Sequence, residues 1–241
     1  MLTLAIETSG EICGIALAQA GGMLALRQRR HKMDLLANLA AEIDEMLRGQ
    51  SLRVSDVGGI AVSLGPGSFT GLRIGIATAK SLAFATGKPI VGIPTLDVLA
   101  TGAACAGVGR GLILAVSTSR SDEVYAAFYR ANRDGVECLT DYVSVAANDV
   151  GSVYPCGNER VFVCGPAAAS VMEGLQAAGA EAYLCGGTLS APSPWTLAVL
   201  GEERLERGES DDPSSLVPLY VRKPTPEVRL ELMRKRQPSS G

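Results

Sequence analysis

The chain has 241 residues, 47% of them hydrophobic, a net charge of −3 and one histidine. That length buries a large core and accommodates two modest domains, and the negative balance excludes a chain that gathers nucleic acid by its own field. No run of about 18 uncharged apolar residues occurs, and the first residues lack the basic region and cleavage pattern of a signal peptide, so the reading is a cytoplasmic protein without a membrane partner.

Residues 1–29 read as three strands, LTLAIETS, ICGIALAQ and MLALRQR, separated by Ser9-Gly10-Glu11 and Gly21-Gly22. Turns this short join antiparallel neighbours, so the chain opens as a meander. Over residues 31–47, Leu35, Leu36, Leu39, Ile43, Met46 and Leu47 follow helical spacing, with Glu42, Asp44 and Glu45 on the other side. This is an amphipathic helix ending near Gly49. Residues 57–64 form the next strand, followed by a Gly-Pro-Gly break, a helix to Gly87, a short strand over 89–93 and a helix from Pro94-Thr95.

The stretch IAVSLGPGSFTGLRIGIATAKSLAF at 60–84 is strand, tight turn and helix. Gly65 and Gly67 open backbone angles closed to other residues, and Ser68 and Thr70 can cap the first helical turn. Amides aimed out of a helix start make an anion site that Arg73 could strengthen; equally, many such turns use Gly and Pro with no ligand. Gly71, Gly75, Ala79 and Ala83 recur every four residues, a stripe of little bulk that another helix, in this domain or in a partner, can approach closely.

The second half repeats the pattern in part: strands over 111–116, 123–130, 136–143, 160–164 and 181–184, a helix over 167–178 and a closing helix over 194–207. Three antiparallel strands followed by alternating helices and strands is the core order of the actin-like ATPase superfamily. The expected fold is therefore α/β, a two-domain actin-like (ASKHA, ribonuclease H-like) fold with a reduced second domain. The first domain takes 1–104 with a returning segment near 194–225, the second 105–193, and 226–241 is a basic, solvated tail. The six cysteines never form a C-x-x-C pair and read as reduced core residues. With one histidine, His31, neither a metal nor a cofactor is expected.

The segments LAIETS at 4–9, LGPGSFTGLRIGIATAKSLAF at 64–84, KPIVGIPTLDVLA at 88–100, EVYAAFY at 123–129 and PLYVR at 218–222 closely resemble the TsaB (YeaZ) family. The resemblance implies a non-catalytic subunit in the making of threonylcarbamoyladenosine at position 37 of tRNAs reading ANN codons. It also implies pairing with the catalytic paralogue TsaD, with the ATPase TsaE joining, and tRNA reached only through that complex. TsaD-type proteins carry a metal-holding histidine pair after the corresponding strand; here those positions are Thr95 and Leu99, which are not metal ligands.

Actin-like ATPases begin their first phosphate loop with aspartate, whereas this loop is Glu7-Thr8-Ser9-Gly10, and the second domain offers Gly165-Pro166 in place of a glycine pair. The reading is a degraded nucleotide cleft, with Glu7, Ser9, Gly65, Gly67, Ser68 and Arg73 as a weak nucleotide or anion site and no catalytic residue. Glu7 reads equally well as an ordinary strand-end carboxylate. The expected partner seam comprises Leu35, Leu36, Leu39 and Ile43 of the first helix and Gly71, Leu72, Gly75, Ile76 and Ala79 of the second. A bulky residue at Gly75 or Ala79 is expected to block pairing without unfolding the chain. Without its partner the same exposed surface can self-associate, and monomer and homodimer both stay open for the isolated chain. The competing reading is a stand-alone ATPase or small-molecule kinase of the actin-like fold.

Overall fold

The computed structural model describes residues 1–31, 34–108, 111–119, 122–133 and 135–221, and the chain divides into two units. The basic tail over 226–241 and the first residues of the expected helix near 32 lie outside the described residues.

The first unit takes residues 1–98 and 192–219. Its sheet has the order β3-β2-β1-β4-β5. The strands are β1 (Leu2–Glu7), β2 (Ile12–Gln19), β3 (Gly22–Arg30), β4 (Gly59–Gly65) and β5 (Ile90–Pro94). The meander β1-β2-β3 is antiparallel, while β4 and β5 run parallel to β1. Alternation along the strands decides what covers each face. Leu4, Ile6, Ile15, Leu17, Ile60 and Val62 form one face, packed with Leu39 and Ile43 of α1 (Leu35–Gly49) and Ile76 and Ala79 of α2 (Phe69–Thr86). The opposite face is a row of small side chains, Ala5, Ala16, Ala18 and Ala61, against Leu197 and Ala198 of α5 (Pro194–Glu206). A Cβ on Gly201 of α5 would stand 2.3 Å from that of Ala61, so glycine is what lets this helix reach the alanine row.

The β2–β3 turn places Ala20 and Gly21 at positive φ, 50° and 71°. Buried Glu202 of α5 accepts the N–H groups of Ala20 at 2.8 Å and Gly21 at 2.9 Å, and also the Met1 ammonium at 2.9 Å. Burial pushes this carboxyl's pKa up, but the bonds from Gly21, Met1 and Ala20 outweigh it and hold the value below the usual carboxylate range. At the opposite border Asp211 bonds β5, its N–H donating to Ile90 and its carboxylate accepting from Gly92. The chain then returns past Leu216, in the core, to Leu219, whose N–H donates to Leu64 at 2.8 Å.

The helix α3 (Thr95–Cys105) leads into residues 99–191, the second unit. Its strands are β6 (Leu112–Thr118), β7 (Glu123–Asn132), β8 (Gly135–Cys138), β9 (Val143–Ala146), β10 (Arg160–Cys164) and β11 (Glu181–Leu184). The order β11-β10-β6-β7-β8 repeats that of the first sheet: an antiparallel start on one side, two strands parallel to β6 on the other. The sequence predicts one strand over 136–143; the structure has two sharing one edge of β7. The break falls where Leu139 donates to the Phe128 carbonyl and the Thr140 hydroxyl accepts from the Phe128 N–H, which ends the ladder with β8. The helix predicted over 167–178 is a 3-10 turn, Ala168–Val171, followed by α4 (Met172–Ala177). A Cβ on Gly174 would stand 2.6 Å from the Asn148 carbonyl, so close backbone contact shapes this short helix.

Candidate functional site: the loop over the Gly-Pro-Gly turn and the helix pair

The residues predicted for an anion site come together at the carboxyl ends of β1 and β4. Gly65 ends β4 at φ 99° and Ser68 caps α2, its hydroxyl accepting the Gly71 N–H at 3.2 Å. The Ser68 N–H donates to the Ser9 carbonyl at 2.7 Å, so the loop after β1 sits on the start of the helix. A Cβ on Gly67 would stand 2.1 Å from the Ser9 carbonyl, and one on Gly71 2.2 Å from that of Thr8. Glycine at these two positions serves contact with the chain's own loop.

Glu7 is fully buried. Its Oε1 accepts the Ser9 N–H at 2.7 Å and the Ser9 hydroxyl at 2.5 Å, while Oε2 has no protein partner. Burial, the largest influence, raises its pKa against the pull of the Ser9 bonds. Burial disfavours the charged form of a carboxyl so placed relative to an exposed one. Arg73 does not face this loop: its guanidinium carbon lies 3.9 Å from the centre of the exposed Phe69 ring. The Ser68 amide is thus engaged with the chain's own loop, and the Arg73 guanidinium lies over the Phe69 ring.

The predicted partner seam requires correction. Leu35, Leu39, Ile43, Leu72, Ile76 and Ala79 are each at most 4% exposed, and Gly71 and Gly75 are buried with them. A Cβ on Gly75 would stand 2.1 Å from Thr8 Oγ1, so the small stripe of α2 lies against the end of β1 in the same unit. A bulky residue at Gly75 or Ala79 therefore strains the chain's own packing. Of the nine residues named, Leu36 alone points outward, at 76% exposure.

The outward side carries what the sequence reading missed. Ala37, Ala40 and Ala41 of α1 and Ala77, Ser81 and Ala85 of α2 are exposed, and Phe84 is 90% exposed. The legible signal was apolar residues lying off the core stripe of each helix, Leu36 above all.

In the second unit, Gly165 stands at φ 108°, where a Cβ would lie 2.0 Å from the Val116 carbonyl, and its N–H donates to Leu189 at 2.8 Å. Thr95 and Leu99 are both buried and supply no nitrogen, sulfur or carboxylate donor. Among the described residues no group of three or more His, Cys, Asp or Glu side chains could hold a metal ion, and no helix is long and apolar enough to cross a membrane.

Residues 18–221 match the family model described as TsaD, tRNA N6-adenosine threonylcarbamoyltransferase. The chain is 35% identical over 139 residues to the Escherichia coli tRNA threonylcarbamoyladenosine biosynthesis protein TsaB, covering 56% of this chain and 58% of that protein. It is 28% identical over 226 residues to the Bacillus subtilis protein of the same name, covering 92% and 94%. A solved Pseudomonas aeruginosa structure, described as an uncharacterized protein with similarity to peptidase YeaZ, superposes with a TM-score of 0.80 at 26% identity over 92% of this chain and 99% of that one. The fold is the two-sheet, actin-like α/β fold, and the chain belongs to the TsaB (YeaZ) family.

Proposed function

We propose that this chain is a non-catalytic subunit that pairs with a TsaD-type paralogue in threonylcarbamoylation of adenosine 37 of tRNAs reading ANN codons. A TsaE-type ATPase joins the pair, and tRNA is reached through the complex. The names of the E. coli and B. subtilis relatives support the pathway. The observation that carries the subunit role is an exposed apolar helix face beside a shut loop: Leu36 and Phe84 point outward while Glu7 is buried.

The seam proposed here is that outward face, in place of the buried residues. Phe69 and Phe84 stand about 22 Å apart along α2, with Ala77 and Ser81 exposed between them. Small residues let a partner helix approach, and a ring at each end anchors it, the usual anatomy of a tight contact. A pair of helices on each side comes near the ~1,600 Å² that specific interfaces bury.

The test is co-purification with TsaD of the double variant Leu36→Glu, Phe84→Glu. Both side chains are exposed, so the variant keeps its fold, and loss of TsaD binding is expected. Undiminished binding by the folded variant would place the seam elsewhere. A peptidase role finds no support in a chain with one histidine and no His-Glu-x-x-His motif.

A further inference from the structure

In the second sheet β10 lies between β6 and β11 and runs parallel to both. Its register with β11 runs from Arg160 opposite Glu181 to Val163 opposite Leu184. One step further the same register sets Cys164 opposite Cys185, and the Cys185 N–H donates to the Val163 carbonyl at 2.8 Å, so the ladder reaches this rung. Side chains alternate between the faces, which puts both sulfurs on the face of Phe162 and Tyr183. That those register partners touch is shown by their rings, stacked with centroids 5.5 Å apart. Neighbouring strands stand about 4.8 Å apart, within the range of about 4.4–6.8 Å that the Cα atoms of a disulfide span.

The two thiols differ in access. Cys164 is fully buried, and its Sγ donates weakly to the Leu99 carbonyl at 3.6 Å. Cys185 is half-buried, and a Cβ on Gly186 or Gly187 just beyond it would meet nothing within 4 Å, so its surroundings are open. Burial pushes the Cys164 thiol up to about 12, with a smaller contribution from the neighbouring Cys185, and raises the Cys185 pKa as well. We propose that Cys164 and Cys185 form a reversible thiol pair, in which Cys185 captures a low-molecular-weight disulfide and Cys164 resolves it into a bond between the two strands. With oxidised glutathione, the Cys185 thiolate attacks one sulfur, the glutathione S–S bond breaks and one glutathione thiolate leaves. Cys164, giving its proton to that thiolate, then attacks Cys185 Sγ in the mixed disulfide and expels the second glutathione. Two protein thiols are thereby oxidised and one glutathione disulfide is reduced to two thiols. The bond ties β11, a border strand, to β10 and closes the intervening segment that carries α4. It lies wholly within the second unit and does not depend on the pairing proposed above.

The test is incubation of the folded full chain with oxidised glutathione at about pH 8, followed by digestion without reduction and mass spectrometry of the peptides. A peptide pair joined through Cys164 and Cys185 is expected, in excess of any linkage to the exposed Cys105 or Cys138, and dithiothreitol should return both thiols. Cys164→Ser, whose hydroxyl can keep the bond to Leu99, removes the resolving thiol. It should hold glutathione at Cys185 at an occupancy about tenfold or more above that of the unaltered chain. Cys185→Ser should leave Cys164 without glutathione. Thermal melts check that the variants fold, and the linkage in the unaltered chain reads the pair without any variant. Absence of the Cys164–Cys185 linkage, its appearance only after unfolding in urea, or equal glutathione occupancy at Cys185 with and without Cys164 would overturn the proposal.

Discussion

Replacing Gly75 by alanine separates the two destinies of the small stripe on α2. In a helix interior alanine is favoured over glycine by about 1 kcal/mol, so an outward-facing Gly75 would gain stability on substitution. In the structure the new Cβ meets Thr8 Oγ1 at 2.1 Å, Thr8 Cβ at 3.1 Å and Thr8 Cγ2 at 3.2 Å. Thr8 cannot easily withdraw, because it is fully buried and its N–H donates to Ser63 Oγ at 3.2 Å. Overpacking of this kind costs about 1–3 kcal/mol, which offsets or exceeds the helical gain and gives a net loss of about 0–2 kcal/mol. The partner substitution is Thr8→Ala. The Thr8 hydroxyl is buried without a protein partner, so removing it costs little, and it takes away the atom nearest the new methyl. Urea unfolding of the two single variants and the double variant forms a complete cycle. A coupling of about 1 kcal/mol or more is expected, with the double variant more stable than Gly75→Ala alone. A Gly75→Ala protein that is stabilised, with no coupling to Thr8→Ala, would refute the packing described for this helix.

Glu7→Gln tests the buried carboxyl. Its pKa is raised in the fold, so the folded state holds the proton more tightly than the unfolded one, and stability falls as pH rises from the unfolded value toward the folded one. The glutamine variant should match the parent near pH 4 and be at least as stable at pH 8 by chemical unfolding; a variant less stable at pH 8 than at pH 4, relative to the parent, would contradict this. Glu202→Gln should behave oppositely. Its lowered pKa contributes stability that is present above the unfolded value and lost as pH falls through the folded one, so a deficit of about 2 kcal/mol at pH 7 should shrink toward pH 3. Thiol labelling of the native chain should be fast at the exposed Cys105 and Cys138 and slow at Cys13 and Cys164, whose burial pushes their thiols up to about 12. Rapid labelling at all six would contradict the described cores.

The first sheet was legible because its periodicity is clean: Leu4 and Ile6 alternate with Ala5, so strand, faces and order follow from period two and short turns. The second sheet was harder. Nothing in the residue types at 136–146 marks the point where the Thr140 hydroxyl takes the Phe128 N–H and divides one apparent strand into two. The site divided in the same way. Spacing showed that Gly71, Gly75 and Ala79 form a narrow stripe, yet the stripe reads alike whether a partner helix or the chain's own Thr8 approaches it. Leu36 was named in the predicted seam, and that it alone faces outward was legible too, since Leu35, Leu39, Ile43 and Met46 already complete one face and leave it about 100° away. The shut loop rests on a backbone contact, Ser68 to Ser9, between segments far apart in sequence, which no local pattern announces.

The central claim is that this protein contributes contact while its partner contributes chemistry, and reconstitution with purified components tests it most directly. With an activated threonylcarbamoyl donor, ATP and tRNA supplied, threonylcarbamoyladenosine would be measured with this chain alone, with TsaD and TsaE without it, with all three, and with the Leu36→Glu, Phe84→Glu variant in its place. Modification is expected only when the unaltered chain and its partners are together; modification or ATP hydrolysis by this chain unaided would contradict the account.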